Sequence, residues 1–261
     1  MTRLTVITVS FNARDVIGQT LSSVTGQTCP DVEYIVIDGG STDGTQAVIE
    51  PFRDRIAHYV SESDGGIYFG MNKGIDAATG DFALFLNAGD IFPDEKVLED
   101  VAAFIEAHPQ ADVVYGDSEQ VLEYGTYRIT PKEAYAGNRI RISHQATFVR
   151  TALLKSHPFD TRYRYAADFE QLSRLYLEGF CFEHTDRVIA RVEMRDGATY
   201  RHFVESANEL YDIIEARGID VSRERKSQIR RKKLIRTVRR LIPERLRNPL
   251  FRFIAKHYKV L

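Results

Sequence analysis

The first 116 residues of this 261-residue chain alternate short apolar runs with stretches of helical spacing. The apolar runs are β-branched or aromatic and nearly uninterrupted, which is typical of strands buried on both faces. They lie at 4–9, 34–37, 56–60, 82–86 and 113–115, and the helical stretches lie between them at 15–26, 43–53, 67–79 and 94–107. This rhythm predicts an α/β fold with a mostly parallel central sheet and helices on both faces.

Polar, glycine-rich motifs follow three of the predicted strands, at 38–44, 63–74 and 87–90. Because the carboxyl ends of parallel strands lie along one edge of a sheet, we expect the motifs to meet at the edge where α/β proteins bind ligands. The motif at 63–74 begins with an acid and a glycine pair and runs into a helix. The free N–H groups and positive dipole end of that helix suit a phosphate-bearing ligand, although a plain glycine turn is the alternative.

The rhythm changes after residue 116. Residues 117–130 are predicted to form a hairpin or two short strands, and 131–142 a loop or short helix. Further strands are expected at 144–150 and 188–194, and helices at 167–178 and 201–217. We therefore expect one domain over 1–222 and a separate tail over 223–261.

Charge is divided unevenly between these two parts. Residues 223–261 carry fifteen Lys or Arg and two acids, a net charge of +13, which leaves 20 basic and 35 acidic residues in 1–222. The two cysteines, Cys29 and Cys181, have neither metal-ligand nor disulfide spacing, which indicates a reducing, cytoplasmic compartment. We expect no signal peptide and no membrane span, because a strand begins at residue 4 and no run of 18 apolar residues occurs.

The ordered motifs resemble those of the bacterial family 2 glycosyltransferases, which have the GT-A (Rossmann-like) fold and move a sugar from a nucleotide diphosphate to an acceptor. The resemblance covers roughly residues 3–200 and rests on the segments 9–12, 37–45, 64–74, 87–90 and 167–170. It implies a nucleotide-binding half at about 1–116, an acceptor-binding half at about 117–222, and a nucleotide-diphosphate sugar as donor.

The resemblance implies that the first three segments bind the donor nucleotide. The residues concerned are Ser10, Asn12, Asp38, Asp64, Asn72 and Lys73. A carboxylate at a strand end can accept a hydrogen bond from a ribose hydroxyl or a base N–H, which suits Asp38 and Asp64. Asn72 and Lys73 would reach the diphosphate. The alternatives are turn-forming roles for the two acids and a merely solvated Lys73.

A metal ion is expected beside the diphosphate. The leaving nucleoside diphosphate gains negative charge, which a divalent cation held by carboxylate and phosphate oxygens can stabilise. The resemblance assigns Mn²⁺ or Mg²⁺ to Asp90, with a turn-capping role as the alternative. Relatives often carry several acids where this chain has Asn87 and Gly89, so a weaker hold on the metal is expected.

The acceptor hydroxyl must lose a proton as it attacks, and one positioned carboxylate is enough to take it. By the resemblance that base is Asp168, with Glu170 as a second choice, and direct attack would invert the anomeric configuration. His144 and Gln145 are candidates for the acceptor or diphosphate pocket. The alternatives are an acid favoured at a helix start and a structural histidine.

The tail has the pattern of a basic amphipathic helix. Its apolar positions are Leu234, Ile235, Val238, Leu241 and Ile242, with Lys and Arg around them. Such a helix predicts binding to an anionic surface, here the inner face of the cytoplasmic membrane. Packing on the catalytic domain is the alternative. Nucleic acid is not an expected partner, because no groove-reading motif accompanies the charge.

These observations predict a metal-dependent, inverting glycosyltransferase of hexosyltransferase type that extends a lipid-linked or other saccharide acceptor in surface polysaccharide synthesis. One rival is a nucleotidyltransferase of similar fold, which would place a glycine-rich basic loop after the first strand, unlike residues 10–13 here. The other is a non-catalytic, membrane-associated protein that binds sugar nucleotides. The presence of both Asp90 and Asp168 argues against that second rival.

Overall fold

The computed structural model describes residues 2–123, 125–194 and 202–230. The chain forms two compact units, one of Met1–Glu119 with Arg128–Val192 and one of Gln120–Tyr127 with Glu193–Leu261. The first unit contains every segment on which the family resemblance rests. The predicted boundary at residue 222 stays a prediction, and the apolar stripe expected in the tail lies outside the described residues.

The core of the first unit is a large sheet. The strands are β1 (Leu4–Ser10), β2 (Val32–Asp38), β3 (His58–Ser61), β4 (Phe82–Phe85), β5 (Val113–Leu122), β6 (Gly125–Ile129), β7 (Tyr135–Ala136), β8 (Arg139–Ile140), β9 (Thr147–Arg150) and β10 (Phe182–Glu193). Eight of them form a sheet in the order β10-β5-β9-β4-β1-β2-β3, with β6 paired to β5. The neighbours β4, β1, β2 and β3 are parallel, as the apolar runs predict.

The residues that the structure describes also form eight helices. They are α1 (Arg14–Thr25), α2 (Thr45–Ile49), α3 (Ile67–Ala77), α4 (Val97–Ala107), α5 (Thr151–Ser156), α6 (Ala167–Leu177), α7 (Phe203–Ala216) and α8 over 222–230. Side chains of α3, α5 and α6 pack on one face of the sheet, against residues such as Ile7 and Phe85. Every residue of β1 and β4 is buried, so both faces of the sheet are covered.

One strand departs from the parallel pattern and matters for the site. β9 lies between β4 and β5 and is antiparallel to both. Because Ala83 pairs with Val149, the chain enters β9 beside the carboxyl end of β4. A short 3-10 turn, His144–Ala146, immediately precedes β9. His144 is thereby brought next to the loop that follows β4.

Two other expectations need correction. The helix expected over 43–53 is split into α2 and a 3-10 segment, Glu50–Arg55, because Pro51 has no N–H to continue α-helical hydrogen bonding. Residues 131–142, expected as a loop or short helix, contain the hairpin β7–β8. Gly137 and Asn138 both have positive φ, at 57° and 63°, which allows the tight turn between these strands.

The second unit contains α7 and α8. The Arg225 side chain, on α8, donates hydrogen bonds to Asn208, Asp212 and Glu215, on α7. These charge-assisted contacts tie the two helices together. In the part of the chain that the structure describes, no helix combines the length and apolar character needed to cross a membrane.

Candidate active site

The Asp168 carboxylate lies at the centre of a small polar network. It belongs to the first turn of α6, and its side chain is 26% exposed. Its Oδ1 accepts a hydrogen bond from the Tyr68 hydroxyl at 2.7 Å, and its Oδ2 accepts one from His144 Nδ1 at 2.9 Å. Three segments far apart in the chain therefore meet at one carboxyl group, which these two donors hold in a defined orientation.

The charges in this network reinforce one another. Burial lowers the pKa of His144, but the hydrogen bond to Asp168 and the charges of Asp168 and Asp90 outweigh it, so the pKa is raised. Burial raises the pKa of Asp168, but the charge and hydrogen bond of His144 and the hydrogen bond of Tyr68 outweigh it, so the pKa is lowered. Asp168 is therefore an ionised carboxylate at neutral pH, the form in which it can accept a proton.

The loop after β4 meets the same network through His144. Asn87 Nδ2 lies 3.4 Å from His144 Nε2, on the far side of the ring from Asp168. A backbone hydrogen bond from Asp90 N to Asn87 O closes the turn, and Asp90 is 6% exposed. The charge of Asp90 acts on the pKa of His144, so Asp90 and Asp168 both act on this imidazole. The structure thus brings these two acids to one region.

The residues of this turn offer oxygen ligands to a hard cation. The Asn87 side-chain oxygen is buried and has no hydrogen-bond partner among the described residues, and the Asp90 carboxylate is three residues away. An orphaned amide oxygen beside a carboxylate fits Mg²⁺ or Mn²⁺, which take few protein ligands when phosphates and water complete the shell. The described residues contain no group of three His, Cys, Asp or Glu that could hold a metal by itself. The weaker hold on a metal expected from Asn87 and Gly89 stays a prediction.

Asp38, which was predicted to bind the nucleotide, is hydrogen-bonded to neighbouring serine residues. The residue is fully buried, and its carboxylate accepts hydrogen bonds from Ser10 Oγ, Ser61 Oγ and Ser41, through both its N–H and its hydroxyl. Burial raises the pKa of Asp38, and these hydrogen bonds outweigh it, so the pKa is lowered. Asp38 therefore fastens together the loops that follow β1, β2 and β3.

Ser10 and Asn12 take part in the same fastening. Ser10 donates to Asp38, the Asn12 side-chain oxygen accepts from Thr42 N at 3.0 Å, and Asn12 N donates to Ser41 Oγ. Asn12 has a φ of 47°, a left-handed conformation that Asn tolerates better than most residues. These contacts shape the loops, and nucleotide contact by these two side chains stays a prediction.

Asp64 and Phe11 face an open surface beside these loops. Asp64 Oδ1 accepts a hydrogen bond from Gly66 N, and both carboxylate oxygens lie 3.4 Å from the point where a side chain on Gly39 would begin. Phe11 is 66% exposed and lies 3.5 Å from the same point. A carboxylate and an exposed aromatic ring thus meet at Gly39, which is itself buried beneath them.

Several predicted site residues are engaged elsewhere. Asn72 makes two hydrogen bonds to the Phe159 backbone, from Nδ2 to O at 2.9 Å and from Phe159 N to Oδ1 at 3.0 Å, so its amide is not directed at a diphosphate. Lys73 Nζ is paired with Glu62 at 2.8 Å, and Glu170 with Arg174 at 3.0 Å. Gln145 Oε1 accepts a hydrogen bond from Ser143 Oγ. These contacts give the four side chains structural partners: Glu170 and Arg174 have the i,i+4 spacing of a helical pair, whereas the partner of Asn72 is 87 residues away.

Two residues of the site were missed at the sequence level. Phe11 carries a signal in the sequence, because an aromatic residue between Ser10 and Asn12 in a turn has little core to enter. Tyr68 carries none, because its partner is 100 residues away.

Comparisons with known proteins identify the family of this chain. The family model described as Glycosyl transferase family 2 matches residues 5–163. A PGL/p-HBAD biosynthesis glycosyltransferase of Mycobacterium tuberculosis is 33% identical over 215 residues, which are 79% of this chain and 80% of the relative. The poly(ribitol-phosphate) beta-N-acetylglucosaminyltransferase TarS of Staphylococcus aureus is 26% identical over 85% of this chain and 41% of its own length.

Solved structures share the fold. The crystal structure of S. aureus TarS 1–349 in complex with UDP-GlcNAc has a TM-score of 0.66 at 24% identity, over 87% of this chain and 70% of that one. The mannosyltransferase PcManGT from Pyrobaculum calidifontis, in complex with GDP-Man and Mn²⁺, has a TM-score of 0.65 at 19% identity, over 84% of this chain and 65% of that one. The fold is therefore of GT-A type, and the chain belongs to glycosyltransferase family 2.

Proposed function

We propose that the enzyme transfers a sugar from a nucleoside diphosphate to a hydroxyl of a saccharide acceptor, with inversion, and that Asp168 is the base. One observation carries this proposal: the Asp168 carboxylate is held by the Tyr68 hydroxyl and His144, with the Asn87–Asp90 turn on the other side of His144. A proton acceptor and a diphosphate-metal turn on opposite sides of one imidazole suit in-line displacement between acceptor and donor.

The donor base and ribose would occupy the open surface bordered by Phe11 and Asp64. An exposed aromatic ring offers a stacking surface to any base, and a carboxylate accepts from base or ribose donors. The absence of a side chain at Gly39 lets Phe11 and Asp64 lie together beside this surface, each 3.4–3.5 Å from the point where that side chain would begin. Asp38 would act through Ser10, Ser41 and Ser61, by holding the loops around this surface.

Asp90 and the Asn87 amide oxygen would hold the divalent cation against the diphosphate. The cation supplies charge stabilisation for the leaving nucleoside diphosphate. His144, beside this turn and held by Asp168, would present its Nε2 side to the diphosphate. The Mn²⁺ in the structure of the PcManGT neighbour supports the choice of metal.

Asp168 would take the proton from the acceptor hydroxyl as the hydroxyl oxygen attacks the anomeric carbon of the donor sugar. The carbon–oxygen bond to the diphosphate breaks on the opposite face, so the configuration inverts. Tyr68, His144 and the Phe169 N–H all donate to this carboxylate, and its 26% exposed part would face the acceptor.

The acceptor would be a lipid-linked or polymeric saccharide at the cytoplasmic face of a membrane. The basic stretch 223–261 supports attraction to anionic lipid, and the name of the mycobacterial relative, PGL/p-HBAD biosynthesis glycosyltransferase, supports a glycoconjugate pathway. Sedimentation with anionic and with neutral vesicles would distinguish membrane binding by the tail from its packing on the catalytic domain. The account expects sedimentation with anionic vesicles only, lost on truncation after residue 222.

A ligand panel followed by product analysis tests the activity. UDP, GDP, UDP-GlcNAc and GDP-Man with Mn²⁺ are screened by thermal shift, and the donor that raises the melting temperature is incubated with lipid-linked and free saccharides. The anomeric configuration of the product is then read by NMR. We expect transfer with inversion in the wild type and a rate lower by about 10²–10⁴-fold in Asp168→Asn. A retained configuration, or nucleotide binding without any transfer, would contradict it.

A further inference from the structure

We propose that Tyr68 is a positioning residue that holds the Asp168 carboxylate and so couples the donor-binding loop to the catalytic base, an inference that rests on the proposed function. Tyr68 is the second residue of α3, the helix that begins directly after Gly66 in the donor loop. Its hydroxyl donates to Asp168 Oδ1 at 2.7 Å. One side chain therefore joins the start of α3 to the start of α6.

The Tyr68 ring cannot easily move independently of α3. It is 6% exposed and packs against Phe159, with ring centroids 5.4 Å apart. Phe159 packs in turn against Phe85 of β4, with ring centroids 5.2 Å apart. Asn72, one turn further along α3, makes two hydrogen bonds to the Phe159 backbone. A displacement of α3 would therefore carry the Tyr68 hydroxyl with it.

Hydrogen bonds connect the first turn of α3 to the donor loop. Asp64 accepts from Gly66 N, while Phe69 N and Gly70 N both donate to Gly66 O, so the loop and the first helical turn share one residue. Gly66 has a φ of 129°, a conformation that side-chain-bearing residues rarely adopt. A ligand that contacts Asp64 would thus act on Asp168 through Gly66 and Tyr68.

The two donors to Asp168 have different consequences. His144 is linked to the Asn87 turn on the diphosphate side, whereas Tyr68 is linked to the donor loop. Loss of the Tyr68 hydroxyl removes the donor to Oδ1 that comes from the donor loop and leaves His144 and the Phe169 N–H as donors to the carboxylate. It also removes one of the hydrogen bonds that lower the pKa of Asp168.

The test compares Tyr68→Phe with Tyr34→Phe. Both tyrosines are buried and both make a side-chain hydrogen bond, but the partner of Tyr34 is Thr8 of β1 and not Asp168. The Asp168 carboxyl is followed by ¹³C NMR, with Asp168→Asn providing the assignment. We expect Tyr68→Phe to raise the pKa of Asp168, to shift the acid limb of the pH–rate profile upwards, and to lower kcat about tenfold with little change in donor KM. Tyr34→Phe should change none of these.

A second pair tests the coupling to the loop. Gly66→Ala and Gly218→Ala each place a methyl group at a positive-φ glycine with no atom within 4 Å, one in the donor loop and one in the second unit. Gly66→Ala should shift the pKa of Asp168 when Tyr68 is present and should not shift it in the Tyr68→Phe variant. Gly218→Ala should leave the pKa of Asp168 unchanged. The inference is overturned if Tyr68→Phe behaves as Tyr34→Phe, or if Gly66→Ala acts equally in both backgrounds. A wild type that transfers no sugar would refute the proposed function alone, because the NMR measurements need no turnover.

Discussion

Replacement of Asp168 by Asn removes the charge of the carboxylate while keeping its shape. An amide can accept one of the two hydrogen bonds now made by Tyr68 and His144, and it presents an NH₂ group to the other donor. One hydrogen bond to a charged acceptor is therefore lost. At the 26% exposure of this side chain, we expect a loss of about 1–2 kcal/mol of unfolding free energy.

Catalysis should suffer far more than folding. Without a base, kcat should fall by about 10²–10⁴-fold, equivalent to roughly 3–5 kcal/mol in the transition state. Donor affinity should change little, because the expected nucleotide contacts lie at Phe11 and Asp64. The pKa of His144 should also fall, since Asp168 is a main cause of its elevation.

Initial rates, chemical denaturation and histidine NMR titration measure these three effects on one sample. Asp81→Asn is the matched control, because Asp81 accepts a hydrogen bond from Arg3 N at the opposite end of β4. It should preserve kcat and the titration of His144. If Asp168→Asn keeps more than a tenth of wild-type kcat while the pKa of His144 falls, the carboxylate orients the imidazole and is not the base, and the reasoning is refuted.

Four further predictions follow from individual contacts. Phe11→Ala should weaken binding of the donor nucleotide by about 1–3 kcal/mol, by calorimetry, with an unchanged melting temperature because the ring is 66% exposed. Asp90→Asn should raise the Mn²⁺ concentration for half-maximal activity at least about tenfold, whereas loss of activity that saturating Mn²⁺ cannot restore would point to another role. Because the pKa of His144 is raised in the folded state, the His144–Asp168 pair contributes its full stabilisation below about pH 6.5 and loses it as the pH rises through the raised pKa. The unfolding free energy of His144→Gln, measured by denaturation, should lack this pH dependence. Gly74→Ala should destabilise by about 1–3 kcal/mol because its Cβ would lie 2.4 Å from Ile7 Cγ2, whereas Gly18→Ala, at 3.4 Å from Val48, should be neutral or stabilising.

The parallel part of the fold could be predicted because its strands are buried on both faces and therefore apolar throughout. β1 and β2 show this most clearly, and their carboxyl ends carry the motifs on which the family resemblance rests. The insertion of β9 between β4 and β5 could not be predicted in the same way. Its position depends on pairing between residues more than 60 apart, such as Ala83 with Val149, and local periodicity contains no information about that partner.

The site divides along the same line. Asp168, Asp90 and His144 were selected for residue type and motif position, and the structure brings them to one region. Asn72 was expected at the diphosphate, yet its amide complements the Phe159 backbone 87 residues away. Tyr68 was not selected, because its partner Asp168 is 100 residues away. Both cases depend on which distant group a polar atom meets, and spacing along the chain does not reveal this.

The shared location of Asp90, Asp168 and the nucleotide is tested most directly by paramagnetic relaxation. Mn²⁺ is added with UDP, and in parallel with GDP, while the ring protons of His144 and His108 are observed. His144 lies between the Asn87 turn and Asp168, whereas His108 follows α4 at the opposite edge of the sheet, near Thr2. The account predicts strong nucleotide-dependent broadening of His144, much weaker broadening of His108, and loss of the effect in Asp90→Asn. Sharp His144 signals at saturating Mn²⁺ and nucleotide, or equal broadening of both histidines, would contradict it.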